Sequence, residues 1–291
     1  MKPSKTLIVL SVLIALLAVI AAGTGVLYQG EGASYTFTSL RGEAVTMYGH
    51  GLYRYEPVLM AAQVIPQDAV TLVVGVPLLL VALWIYRQGR VRVQLLLAGT
   101  LAYFLYTYTS MAFGAAYNEL FLVYVALFSL SLFAFILAIV AVDLPSLPAH
   151  FTDRLPRRTI ASFLFAAGLF LLVAWLGRIV PPLLAGSPPI GLTTNTTLFI
   201  QVMDLGLIVP LVFLAGIMLL RRRPLGYLLA SVGLIKFVTM GLALIAMMIG
   251  QLLAGVEFSM AEAIIFPVLA LAAIAMAYIL LRDLHEIAPV H

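Results

Sequence analysis

Two residues of opposite charge, Asp204 and Lys236, stand inside long apolar stretches of the chain. An ionised side chain in hydrocarbon is costly, and it is retained where it is paired or where it acts on an ion, a proton or a substrate. Lys236 falls about eleven residues into its apolar segment, near mid-bilayer at about 1.5 Å rise per residue. Asp204 falls about six residues into the preceding segment from its other end, roughly 9 Å deep. A tight basic turn, Arg221-Arg222-Arg223, separates the two segments, so they should run antiparallel as neighbours. Their depths then differ by about one helical turn, which a lysine side chain can span. The spacing predicts an Asp204–Lys236 ion pair, because either group left alone would tend to shed its charge.

Further polar residues gather at similar depth. Gln201 precedes Asp204 by three residues and Asp68 precedes Thr71 by three, so each couple shares a helical face. Tyr103, Tyr106, Ser110 and Tyr117 recur at intervals of three, four and seven, a polar aromatic stripe. Gln63, Gln67, Asn118, Glu119, Arg178 and Glu262 lie at the same outer level. The expected site is a polar cavity open to the outer face, with Asp204 and Lys236 at its floor. Gln201, Asp68, Thr71, Tyr103, Tyr106, Asn118 and Glu119 complete its ligand-binding set. A structural reading competes with this one: a buried ion pair and tyrosine hydrogen bonds also fix helix register. On that reading Glu119 and Glu262 are helix-end residues, and Arg178 reaches toward lipid headgroups.

Chemistry beyond ion handling finds little support. There is no cysteine, and His50, His150, His285 and His291 fall in loops or the tail without metal-ligand spacing. No Gly-rich phosphate loop, Gly-x-Ser-x-Gly or His-Glu-x-x-His run occurs. No catalytic residue, metal ligand or cofactor is therefore assigned.

The elements that must hold these residues are membrane-spanning helices. Of 291 residues, 64% are hydrophobic and 10% charged, with mean hydropathy +1.13, against about 45–50% and about 25% in soluble domains. Long, nearly continuous apolar runs exclude a β-barrel, whose strands alternate. The spans expected are 7–28, 69–86, 94–115, 120–142, 160–180, 198–220, 225–253 and 263–281. The fold class is thus an all-α polytopic membrane protein with eight transmembrane helices. Twelve of the 16 basic residues, among them Lys2, Lys5, Arg87, Arg154, Arg221 and Arg282, fall on alternate loops. The positive-inside rule puts those loops and both termini in the cytoplasm of a cell-membrane protein, with Glu31, Glu43, Glu56, Asp68, Glu119, Glu257 and Glu262 on the opposite face. That alternation also accounts for the net charge of +4 without a nucleic-acid partner. Residues 1–23 admit a rival reading as a cleaved signal peptide ending at Ala21-Ala22-Gly23, although the apolar run continues to Tyr28.

Sliding the chain by 133 residues lays Leu72–Thr107 on Leu205–Met240 without a gap, with ten identities in 36 pairs. The shared Val-Pro-Leu inside a span and the shared arginine, Arg90 and Arg223, are the informative matches. They predict two four-helix units, 1–148 and 149–291, in the same orientation, related by an axis along the membrane normal. Pro77 and Pro210 should kink their helices, and Asp143–Arg158 reads as an interdomain loop. The one long outer loop, 30–67, should carry a β-hairpin from Tyr35–Ser39 and Ala44–Tyr48, then a short amphipathic helix over Glu56–Ile65.

Three functions fit. The favoured one is transporter-like binding or transport of a small molecule or ion. An alternative is a non-catalytic sensor, assembly factor or partner subunit that meets another protein through outer loop 30–67. A third is an intramembrane enzyme acting on a lipid at the outer leaflet, with Lys236 or Asp204 as general acid or base.

Overall fold

A computed structural model describes residues 4–28, 30–189, 191–256 and 260–286. Lys2, Glu257, His291 and the side chain of Glu262, on which expectations were placed, lie outside the described residues. Among the described residues, eight helices are long and apolar enough to cross a membrane. They are α1 (Lys5–Leu27), α2 (Val58–Tyr86), α3 (Val91–Gly114) and α4 (Phe121–Val140). After the linker come α5 (Arg157–Leu184), α6 (Phe199–Leu220), α7 (Pro224–Leu253) and α8 (Met260–Asp283). The polytopic helical class expected from composition is what the chain forms.

Helix ends follow local chemistry. The Ser4 hydroxyl caps α1 by accepting from Leu7 N–H at 3.3 Å. Between α6 and α7 the chain reverses through Arg222, at φ 53°, and Pro224 opens the next helix, a position where its missing N–H costs nothing.

The Val-Pro-Leu segments act through the backbone. Pro77 and Pro210 lack an N–H and crowd the carbonyl four residues back, so the helix before each cannot keep its regular ladder. In α2 the turn Thr71–Gly75 widens to a π-helix, with Val76 N–H bonded to Thr71 O. In α6 the turn Asp204–Ile208 does the same, with Val209 N–H bonded to Asp204 O. The expected kinks thus take the form of π-turns, and each begins at a residue singled out for the site.

Helices α3 and α7 pack against each other at the centre. Gly99 permits that approach: a Cβ there would lie 2.5 Å from Ile235 Cβ. Around α3 stand α2 and α4, with α1 against both; around α7 stand α6 and α8, with α5 against both. The start of α2 leans on α7, and the start of α6 leans on α3. Helix α1 is an integral wall of this bundle, with Ile14, Ala18 and Ala22 buried.

One boundary is corrected. Helix α2 begins at Val58, so the segment read as a separate amphipathic helix is the first third of a spanning helix. Nothing between Ile65 and Ala69 stops it. Pro66 sits inside the helix and leaves the Ala62 carbonyl without its usual donor, and Gly250 of α7 packs closely over that spot. The outer connection is accordingly shorter than 30–67.

What remains of it is a fastened cap. Strands β1 (Tyr35–Thr38) and β2 (Ala44–Met47) pair antiparallel, Tyr35 opposite Met47 and Thr38 opposite Ala44. Their turn closes on the Ser39 hydroxyl, which accepts from Arg41 and Glu43 N–H. The Arg41 guanidinium donates to the Thr193 and Asn195 carbonyls of the loop before α6. Buried Glu56 accepts from Ala116 N–H at 2.6 Å, and burial pushes its carboxyl above the ordinary 4.5 despite that bond.

The opposite, basic end is also tied. Arg157 donates to Tyr227 Oη at 2.8 Å, Thr152 bonds Asp283, and Phe151 bridges to Leu284. The Glu286 carboxylate accepts from Val91 and Arg92 N–H at the start of α3, where the helix dipole favours an anion.

Candidate functional site

Asp204, the first residue of the π-turn in α6, is 6% exposed, and both its carboxylate oxygens are engaged. Tyr106 Oη of α3 donates to Oδ1 at 2.8 Å, and Trp175 Nε1–H of α5 donates to Oδ2 at 2.9 Å. Lys236 of α7 is 7% exposed, and its Nζ lies 3.8 Å from the centre of the Tyr106 ring. Phe237 adds a second ring at 5.8 Å. A desolvated ammonium on a ring face gains about 2 kcal/mol from the ring quadrupole.

Three helices therefore meet at Tyr106, and a fourth, α5, reaches Asp204 through Trp175. The expected direct Asp204–Lys236 contact is replaced by a relay: anion on the hydroxyl, cation on the face of the same ring. The two residues come near one ring, while the aromatic spacer comes from α3, which pair spacing along α6 and α7 cannot reveal.

Asp68, Thr71 and Tyr103 form a second cluster on the other side of α3. Asp68 is 4% exposed and accepts a hydrogen bond from Tyr53 Oη of the cap. Helix α1 comes so close that a Cβ on Gly25 would strike Asp68 Oδ2. Thr71 Oγ1 bonds Tyr103 Oη at 2.8 Å, and Gln67 Nε2 donates to Thr107 Oγ1 at 3.2 Å. Burial, then the Asp68 charge, pushes the Tyr53 hydroxyl well above its ordinary 10.

The polar stripe on α3 is thus divided. Tyr103 turns to Thr71 and Tyr106 to Asp204, while Ser110 bonds back to the Tyr106 carbonyl. Tyr117 lies past the helix end and is exposed. Asn118 is buried, and its Oδ1 accepts from Leu120 N–H at 2.9 Å at the start of α4. Glu119 is exposed and paired with Arg54, which holds its carboxyl below the ordinary 4.5. Gln201 sits one turn before Asp204, partly exposed. Glu119 therefore joins neither buried cluster.

Trp175, Tyr53, Tyr108 and Tyr124 are residues that sequence reasoning missed. Trp175 carried a usable signal, since one of only two tryptophans stands within a span and its N–H demands a partner. Tyr53 reads as an interfacial aromatic until the loop is seen folding back onto α2. Two clefts of the described surface lie away from these clusters. One is at the basic end by Leu144, Met218 and Arg221; the other lies under the hairpin by Val45, Leu59 and Pro189.

No known protein family matches the chain, and no curated protein or solved structure does so either.

Proposed function

We propose that this integral membrane protein is transporter-like and handles a small ion or molecule through the Asp204–Tyr106–Lys236 relay. The observation that carries the reading is a buried anion and a buried cation from adjacent helices meeting on one aromatic ring at a π-turn. Opposite charges keep the resting site neutral within the bilayer. π-Turns mark places where a helix can change its ladder at little cost, and they recur at functional sites. Swinging the Tyr106 ring aside would uncover both charges toward the cap end, as an outward-facing cavity requires. An anionic group could then take the place of the ring on Lys236, or a proton the place of Tyr106 on Asp204.

Two further readings belong to this proposal. The basic end faces the cytoplasm of the cell membrane and the cap faces outward, by the distribution of arginines. The chain is a duplicated four-helix unit, 1–148 and 149–291. In support, the two π-turns fall 133 residues apart, each precedes Val-Pro-Leu, and Thr71 and Asp204 each bond a tyrosine of α3.

The test is Lys236→Met in proteoliposomes, with proton, sodium, potassium and chloride fluxes followed by ion-sensitive dyes. The wild type is expected to pass at least one of these ions under a gradient, and Lys236→Met to lose that flux at least tenfold while eluting as folded protein. Equal flux in the two proteins would remove the reading.

A second reading, a partner-binding subunit, is favoured by a different observation. Tyr35, Phe37 and Leu40 on the hairpin are exposed, while Arg41 fastens that hairpin to the loop before α6. An apolar surface held rigid outside the membrane suits a protein partner. Phe37→Ser with Leu40→Ser should abolish cross-linking to such a partner in native membranes and leave ion flux unchanged. Unaltered cross-linking products would exclude the hairpin as the contact.

A further inference from the structure

We infer that Asp68 anchors a buried site for one monovalent cation, a proton or a sodium ion, walled by the hydroxyls of Tyr53, Tyr108 and Tyr124. The inference stands apart from the transport reading, because occupancy of the site is measured without flux.

The argument begins with charge balance. Asp204 has two N–H or O–H donors and a lysine nearby. Asp68 has one donor, the Tyr53 hydroxyl, and among the described residues no cationic side chain is paired with it. A carboxylate buried between helices without a counter-charge is strongly disfavoured relative to water. The group therefore stays neutral by holding a proton, or keeps its charge by holding a cation.

The surroundings are built for an occupant. Tyr108 Oη is buried, makes no hydrogen bond and lies within reach of the Asp68 charge, while Tyr124 Oη lies beside Tyr53 and Asn118. A buried hydroxyl without a partner is costly, so Tyr108 gains by turning to a cation or an acid proton held on Asp68. A cation on the carboxylate would take hydroxyl oxygens as ligands. A proton on it would make Asp68 a donor to one of them. Gly25 leaves α1 flush with the carboxylate, so a larger residue would occupy this corner.

The titratable groups facing Asp68 are hydroxyls: Tyr53 from the cap, Tyr103 and Tyr108 from α3, and Tyr124 from α4. Beyond them, Tyr124 lies beside Asn118 and within reach of the Glu56 charge.

The experiment is infrared spectroscopy of the full chain in lipid at neutral pH, in choline buffer and under sodium titration. The wild type is expected to show a protonated carboxylic acid band in choline that Asp68→Asn removes and Tyr53→Phe shifts. Erasure of that band by sodium identifies a sodium site; persistence identifies a proton site; both support the inference. Glu56→Gln controls for the other buried carboxyl nearby. Should Asp68→Asn fail to fold, the shift in Tyr53→Phe still identifies the band. A spectrum without any acid band sensitive to Asp68 or Tyr53, and without a sodium response, would overturn the inference.

Discussion

Asp204→Asn is expected to destabilise the bundle by about 3–5 kcal/mol, the range for breaking one side of a buried charge pair. Two groups lose their partner at once, Lys236 and one of the two donors. Lys236 is left buried with only ring faces, and the Asn amide cannot accept from both Tyr106 Oη and Trp175 Nε1–H as the carboxylate does. Lys236→Met should cost less, because Asp204 keeps both donors and methionine keeps most of the buried stem. The double variant should recover more than half of the Asp204→Asn loss, since the stranded ammonium is gone. Unfolding in mixed detergent micelles, with tryptophan fluorescence as the probe, reads all three proteins. Equal small losses in both single variants would show that the relay carries no electrostatic coupling. The contrast with the neutral cluster sharpens the point: Thr71→Val removes one hydrogen bond to Tyr103, worth about 0.5–1.5 kcal/mol.

Gly99→Val is the second large effect. Helices in a membrane associate through close packing and not through expulsion of water, so small residues at a crossing set the interhelical distance. A Cβ at position 99 would sit 2.5 Å from Ile235 Cβ and 2.6 Å from its Cγ2. Neither atom is the free end of a flexible side chain, so α3 and α7 must separate. Overpacking of this kind costs about 1–3 kcal/mol or more. It also reaches function, because Ile235 precedes Lys236 and the same crossing places Lys236 over the Tyr106 ring. The expected result is a lower thermal midpoint, together with loss of any flux that proves sensitive to Lys236→Met. Gly233→Ala on the same helix is the control: a Cβ there meets nothing within 4 Å. It should be neutral, or stabilising by up to about 1 kcal/mol through helix propensity. Gly99→Val and Gly233→Ala with matching stability would show that the crossing is not as tight as the geometry implies.

The two clusters differ in how they secure neutrality. In the second half a fixed lysine balances a fixed aspartate. Under the proposed duplication, Lys236 corresponds to Tyr103 and Asp204 to Thr71. Asp68, one turn before Thr71, has no cationic partner among the described residues. A mobile cation at Asp68 and a fixed one at Asp204 would be two solutions to the same desolvation problem.

Length and composition by themselves determined the eight apolar helices, since hydrocarbon admits only backbone that satisfies its own hydrogen bonds. The positions of Asp204 and Lys236 within those helices were legible too, because depth follows directly from rise per residue. Tyr106 and Thr71 were likewise read from spacing as polar residues facing inward. The hairpin was legible from its alternating β-branched and aromatic residues around a glycine turn. Two things were not. The start of α2 was hidden because Pro66 reads as a boundary, yet a neighbouring glycine on α7 lets the bent helix pack and continue. The ring between the two charges was hidden because contacts across helices distant in sequence depend on crossing geometry. Gly99, Gly25 and Gly250 set that geometry by what they lack, and a missing side chain acquires meaning only from the neighbour that fills its place.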